Sequence, residues 1–186
     1  NLTIRSINLH KKYFKLTNDL YLIGLGGSVP TVTSNEIVPN TIPYLDVSDN
    51  ILWEGYPYQD NFTSPNYDNS DQIYKKDLDE VWEKVSNHIT QNNTTNNIKY
   101  ILLTHNGPFY SSTSLQINKG KIAYMGSKQL GDFLNNHDNI MLNIHGHTHD
   151  GKGYANYNRY SIINPGSLKN GDFAILKIKR NFANEW

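Results

Sequence analysis

The sequence predicts an α/β fold, a layered domain built on a mixed sheet, and three observations carry that prediction. Short apolar runs at 20–25, 100–104 and 140–144 alternate with two stretches of helical periodicity, the order expected of strands joined by crossover helices. Two further pairings, 13–16 with 20–25 and 160–163 with 173–178, are close enough in sequence to add antiparallel strands and make the sheet mixed. The chain has 186 residues, enough for one domain with a real hydrophobic core.

Each element has its own signal. Tyr13-Phe14-Lys15-Leu16 and the run from Leu20 to Leu25 flank Thr17-Asn18-Asp19, which reads as a hairpin with a short polar turn. Gly24-x-Gly26-Gly27 follows, then Pro30. This is a bend and not a dinucleotide fingerprint, because the third glycine is misplaced and no helix follows. From Thr31 to Asn69 the chain is rich in Ser, Thr, Asn, Pro, Gly and Tyr and reads as a long irregular excursion, with a short strand expected near Ile51-Leu52-Trp53. Its tyrosines from Tyr56 to Tyr67 either pack as an ordinary loop or shape a substrate rim.

The clearest helix runs from Asp71 to about Gln91, with Ile73, Leu78, Val81, Trp82, Val85 and Ile89 at helical spacing and Ser70 or Asp71 as the cap. The Asn/Thr tract 92–97 ends it as a loop. A strand at 100–104 comes next, then a Gly-Pro loop and the cluster Ser111-Ser112-Thr113-Ser114, read as a polar loop with phosphate contact as the alternative. A second helix is expected from Ser127 to Asn135, with Leu130, Phe133 and Leu134 inward. Strands at 140–144, 160–163 and 173–178 complete the order. The last two are joined through Asn164-Pro165-Gly166-Ser167-Leu168 and Gly171-Asp172.

Composition excludes several function classes. Lys+Arg and Asp+Glu balance at 17 each, with no basic run, so there is no electrostatic footprint for nucleic acid or for an acidic membrane. Cysteine is absent, so no disulfide framework and no thiolate metal site can form. A transition-metal site would have to use His and carboxylate. No bilayer-spanning segment and no signal peptide is visible. Without cysteines the main argument for secretion is gone, and the expected location is cytoplasmic. Asn-x-Ser/Thr triplets at Asn1, Asn61, Asn92 and Asn93 read as chance matches in so asparagine-rich a chain.

The most informative residues stand where two predicted strands stop. Tyr100–Leu103 precedes Thr104-His105, and Ile140–Ile144 precedes His145-Gly146-His147-Thr148-His149. Side chains there project from the carboxyl edge of a sheet, the edge at which open α/β proteins bind ligands. In extended chain, residues i and i+2 point to the same side, so His147 and His149 can reach one ion or two neighbouring ions. His105 is a third candidate ligand, with a capping or hydrogen-bonding role as its alternative. His145 shares their parity but reads as a satisfied strand-end residue. His10, His88 and His137 read as surface residues. Asp150 either orients an imidazole or sits solvated in the turn.

Taken in order, Tyr21-Leu22-Ile23-Gly24-Leu25-Gly26-Gly27-Ser28, Ile101-Leu102-Leu103-Thr104-His105-Asn106-Gly107-Pro108, Gly126-Ser127, Ile144-His145-Gly146-His147-Thr148-His149-Asp150-Gly151 and Ile163-Asn164-Pro165-Gly166-Ser167-Leu168 with Gly171-Asp172-Phe173 form a pattern. In it the chain resembles the carboxyl-terminal portion of a calcineurin-like metallophosphoesterase. The resemblance spans nearly the whole chain, which would be a single domain, 1–186, forming the carboxyl-terminal part of that fold. It implies a four-layer α/β/β/α sandwich with mixed sheets and a site for two divalent metal ions, Mn, Fe or Zn. His105 and His147 would bind the second metal and His149 the first. Thr104 and Pro108 match positions flanking the first histidine, with Thr104 and Asp150 as supporting residues. Asn164, Pro165 and Gly166 match a turn that returns the chain to the sheet.

The family's upstream motifs, Asp-x-His, Gly-Asp-x-x-Asp and Gly-Asn-His-Asp/Glu, do not occur in this chain. The resemblance therefore implies that the bridging carboxylate and the catalytic residues lie upstream of Asn1. The expected activity is hydrolysis of a phosphomonoester or phosphodiester, with the 186 residues inactive by themselves. Two rivals stand beside it. One is a truncated or degenerate relative serving as a binding or scaffold module. The other is a mononuclear Zn hydrolase using His105, His147 and His149 alone. A half-domain is also expected to expose apolar sheet.

Overall fold

Four apolar runs pair side by side and point the same way. The computed structural model describes residues 8–27, 31–33, 37–38, 67–91, 97–118, 121–157 and 159–180. Its strands are β1 (Lys12–Lys15), β2 (Leu20–Leu25), β3 (Thr31–Thr33), β4 (Ile37–Val38), β5 (Lys99–Thr104), β6 (Gly107–Pro108), β7 (Leu115–Asn118), β8 (Lys121–Tyr124), β9 (Gly126–Ser127), β10 (Ile140–Ile144), β11 (Gly153–Asn156) and β12 (Ser161–Asn164). The helices are α1 (Tyr67–Gln91) and α2 (Lys128–Asn136), with 3₁₀ turns at Ser112–Ser114 and Leu168–Asn170.

The main sheet has the order β1-β2-β5-β10-β12-β11. Strands β2, β5, β10 and β12 are mutually parallel, and β1 and β11 run antiparallel at the two edges. The sheet is thus mixed, as the sequence predicts, with an α/β crossover through α1 between β2 and β5 and through α2 between β5 and β10. Because the four central strands are parallel, the residues that follow Leu25, Thr104, Ile144 and Asn164 all emerge at one rim. A four-stranded sheet, β4-β3-β8-β7, and a two-stranded one, β6-β9, complete the pairing.

Alternation assigns the faces. Tyr21, Ile23, Leu25, Tyr100, Leu102, Ile140 and Ile162 are buried against both helices, which contribute Tyr74, Leu78, Val81 and Val85 from α1 and Leu130, Phe133 and Leu134 from α2. Trp82 fills the junction edge-on, its ring centroid 4.8 Å from Tyr100, 5.6 Å from Phe133 and 4.4 Å from His137. The out-of-phase residues Leu20, Ile101 and Leu142 form a smaller cluster on the other face with Leu22, Met141, Ile144, Ile163 and Ile178. That face is the less covered one, and Leu103 on it is exposed.

Several expectations need correction. The segment 173–178 is not a strand. Phe173, Ile175 and Leu176 are exposed, while Ile178 lies against the second face. A strand exists only with a partner. Here the segment pairs with neither edge strand, β1 or β11, so its β-forming composition finds no ladder. The helix expected to start at Asp71 begins at Tyr67, so neither Ser70 nor Asp71 caps it. Asp71 is buried and its carboxylate serves the other helix, accepting from Ser127 Oγ and from Gln129 N at 3.1 Å. Ser127 itself is the N-cap of α2, accepting from Leu130 N at 2.9 Å. The strand expected near Ile51-Leu52-Trp53 and the tyrosines 56–66 lie outside the described residues. Among the described residues no helix is long and apolar enough to cross a membrane.

Candidate functional site

The rim is built from two turns that the sheet brings together. The β5–β10 ladder sets Ile144 opposite Leu103. One step further, Gly146 N donates to His105 O at 3.1 Å, tying the two histidine turns by their backbones, and His145 N donates to Ile163 O at 2.9 Å. The buried Thr104 holds the first turn from within. Its hydroxyl donates to Asn106 O at 2.7 Å and accepts from Asn143 Nδ2 at 3.0 Å. Thr104 thus braces the backbone of the turn that carries His105.

Two of the three predicted ligands meet. His105 Nε2 lies 3.0 Å from His147 Nδ1. The other ring nitrogen of His147, Nε2, is buried and has no hydrogen-bond partner. Burial pulls both imidazoles below the ordinary histidine range; His147, with His105, His145 and His149 also near it, falls to about 3. Both are therefore neutral at pH 7, the form in which an imidazole nitrogen offers a lone pair to a cation. His149 is exposed; its ring is in electrostatic reach of His147, but it shares none of the hydrogen bonding between His105 and His147. Its backbone N donates to Gln116 Oε1 at 3.1 Å. Among the described residues, no three His, Asp or Glu side chains form a ready metal cage.

His147 also has a φ of 69°, the left-handed region that side-chain-bearing residues rarely occupy. Thr148 N donates to Gly146 O at 2.8 Å across it, closing a tight three-residue turn of the strained, positive-φ kind.

His145 is buried on the other side of the turn and is fully satisfied, as the sequence predicts for a strand-end residue. Nδ1 lies 2.9 Å from Gly146 O and Nε2 lies 2.8 Å from Thr113 Oγ1. A carbonyl only accepts, so Nδ1 carries the proton and Nε2 accepts from the Thr113 hydroxyl. Thr113 Oγ1 in turn lies 2.7 Å from Ser111 Oγ. Of the Ser111–Ser114 cluster, Ser111, Thr113 and Ser114 are buried and support the turn, while Ser112 is exposed. Gly107 is needed here, because a Cβ on it would collide with Ser114 Oγ and the His145 ring.

Asp150 does not touch an imidazole in this arrangement. Its Oδ2 accepts from Gln116 Nε2 and from Ile117 N at 2.9 Å, which fastens the turn to β7. The carboxylate in electrostatic reach of His149 is Asp172, which the sequence reading passed over. The Lys152 ammonium, 2.7 Å from Asp172 Oδ1, holds that carboxyl below its usual range. His10 is not a plain surface residue either. It is half-buried and its Nδ1 accepts from Gly26 N at 3.0 Å, which places it at the rim end of β2. His137 is half-buried against Trp82 and Phe133, and His88 is exposed.

No family model and no curated protein matches the chain. One crystal structure is similar to it, with 15% identity and a TM-score of 0.50, over 88% of this chain and 47% of that one. At that identity the likeness speaks for an α/β fold alone. The chain spans about half the length of the structure it resembles.

Proposed function

We propose that this chain is the carboxyl-terminal portion of a metal-dependent phosphoesterase, hydrolysing phosphomonoesters or phosphodiesters, within an α/β/β/α sandwich of the calcineurin-like kind. The observation that carries the reading is the His147 imidazole. It is neutral and half-buried with its Nε2 shut off from solvent, sits in a strained backbone conformation at the carboxyl rim of the mixed sheet, and has one nitrogen bonded to His105 and the other bare. A buried polar atom without a partner is costly, and strain of this kind collects at functional sites.

The donor set fits the imidazole share of a metal centre. His147 Nε2, His105 and the exposed His149 are the groups that would hold a cation such as Zn, Mn or Fe. They do not by themselves fit a dinuclear centre, which needs a carboxylate between the ions. Asp150 is spent on β7 and Asp172 is paired with Lys152. A complete two-metal site clamps the attacking and leaving oxygens of an in-line displacement. This chain's own part is to keep the His105 and His147 imidazoles neutral and to hold the two turns that carry them through Thr104 and the His145–Thr113 support.

Metal analysis and a chromogenic phosphomonoester and phosphodiester assay on the parent protein test the reading. Metal-dependent turnover, lost on His147→Ala, is expected. Absence of any such turnover with all three histidines intact overturns it. The absence of the Asp-x-His, Gly-Asp-x-x-Asp and Gly-Asn-His-Asp/Glu motifs from this chain motivates a second reading, a truncated or degenerate relative acting as a binding or scaffold module. Detection of Asp-x-His and Gly-Asn-His-Asp/Glu motifs upstream in the parent reading frame would dismiss that alternative.

A further inference from the structure

We infer that Asn164 and Thr148 are positioning residues, a buried clamp that forces His147 into its left-handed conformation and so sets the direction of its free nitrogen. The tight turn at 146–148 does not hold itself, because a positive φ on histidine is unfavourable locally. Something outside the turn must stabilise it, and the structure shows what does.

Thr148, the residue after His147, is buried and fixed at two points. Its hydroxyl donates to Thr113 O at 2.7 Å. The Asn164 side-chain amide donates around the same spot, with Thr148 O at 2.7 Å, Thr148 Oγ1 at 2.9 Å and Thr113 O at 2.9 Å. Asn164 is itself immobile: it ends β12, is buried, and its Oδ1 accepts from Gly166 N at 2.9 Å. Gly151 packs so closely on Thr113 O and Thr148 Oγ1 that a Cβ there would collide with both. On the other side, Gly146 is anchored to His105 O. His147 is thus strung between two fixed backbone points, Gly146 and Thr148. The left-handed conformation is what turns the chain between them and lays the imidazole against His105.

Each partner comes from a different element: β12, the 3₁₀ turn before β7, and the loop after β10. The clamp therefore exists only when the sheet is assembled. Its purpose, holding His147 Nε2 ready for a cation, rests on the phosphoesterase reading. The clamp itself does not, and both tests below are done without metal.

The first test compares His147→Gly with His147→Ala in the parent protein, and repeats the pair on a Thr148→Val background. Glycine tolerates a positive φ and alanine does not. With the clamp intact, the glycine variant should fold with an equilibrium constant about fivefold or more above that of the alanine variant. With the hydroxyl removed two of the bonds on Thr148 are lost while Asn164 still holds its carbonyl, so the ratio should shrink. Thr148→Ser should restore it. A ratio unchanged by Thr148→Val, or no glycine advantage at all, overturns the proposal. The second test needs no variant to fold. Long-range ¹H–¹⁵N spectra of the unmodified protein at pH 7 should show the His147 ring as one fixed tautomer. A rapidly averaged mixture of tautomers overturns the proposal.

Discussion

The floor and the lip of the rim use the same residue type to opposite ends. On the floor, His145 has both ring nitrogens matched, one to a carbonyl and one to a hydroxyl chain running through Thr113 to Ser111. On the lip, two residues later, His147 has one nitrogen matched and one bare. Both rings are desolvated and both are pulled below the ordinary histidine range, so burial and proton affinity do not distinguish them. Backbone and bonding do. The floor histidine follows a regular strand, and the lip histidine sits in a strained turn held by its neighbours. A satisfied imidazole stabilises the fold, and an unsatisfied one is kept for something else.

The comparison breaks most visibly in function. On the proposed reading, His147→Ala in the parent protein should reduce metal-dependent phosphoester turnover by more than the 10–100-fold, roughly, that loss of an outer-shell partner costs. His145→Ala should instead act first on stability. It empties a packed site and strands the Thr113 hydroxyl, for a loss of about 2–4 kcal/mol in urea titrations. Equal stability losses in the two variants would erase the distinction. Thr113→Val keeps shape but leaves His145 Nε2 without its donor, and should cost about 1–3 kcal/mol by the same measurement.

Proton linkage sharpens the same contrast. The His145 and His147 values are lowered to about 4 and about 3, mainly by burial, and His105 is lowered as well. The unfolded chain then binds more protons than the folded one across this window, so stability rises with pH. The contribution is complete above about pH 6.5, the unperturbed histidine value, and is lost as pH falls toward 4 and then 3. Denaturant midpoints from pH 7 down to pH 4 should fall steadily, and the fall should shrink in His145→Ala. A flat profile would contradict the buried, neutral assignment. The smallest effect is expected at the margin. Lys152→Gln removes an exposed partner of Asp172 and should leave the melting temperature within the scatter of repeat scans.

Much of this architecture is legible in the sequence because period and punctuation agree there. The strands 20–25, 100–104 and 140–144, the hairpin at 12–25 and both helices follow from apolar spacing, and the carboxyl-edge placement of His105 and His147 follows from where those strands stop. The β7–β8 hairpin is missed, although Leu115, Ile117, Ile122 and Tyr124 alternate around a Lys-Gly pair. The neighbouring Ser/Thr cluster draws that region toward a loop reading. The final segment fails the other way: its composition favours a strand, but pairing is a property of the sheet. Thr113 and Asn164 as supports of the histidine turn carry no local signal, since Thr148, their shared partner there, is 35 and 16 residues away in sequence. Nor does the bare nitrogen of His147, which becomes visible only once every neighbouring donor and acceptor has been placed.

The parallel run of the four central strands has one further consequence. The imidazoles of His105 and His147 are contributed by the turns that follow β5 and β10, strands far apart in sequence that pair in the assembled sheet. An ion held by both would act as a rivet across that seam. By mass action it would add about 2.7 kcal/mol of resistance to unfolding at a free concentration about 100 times its Kd. Thermal scans with and without Zn²⁺ would then report occupancy of the rim directly, in a molecule that need not turn over any substrate.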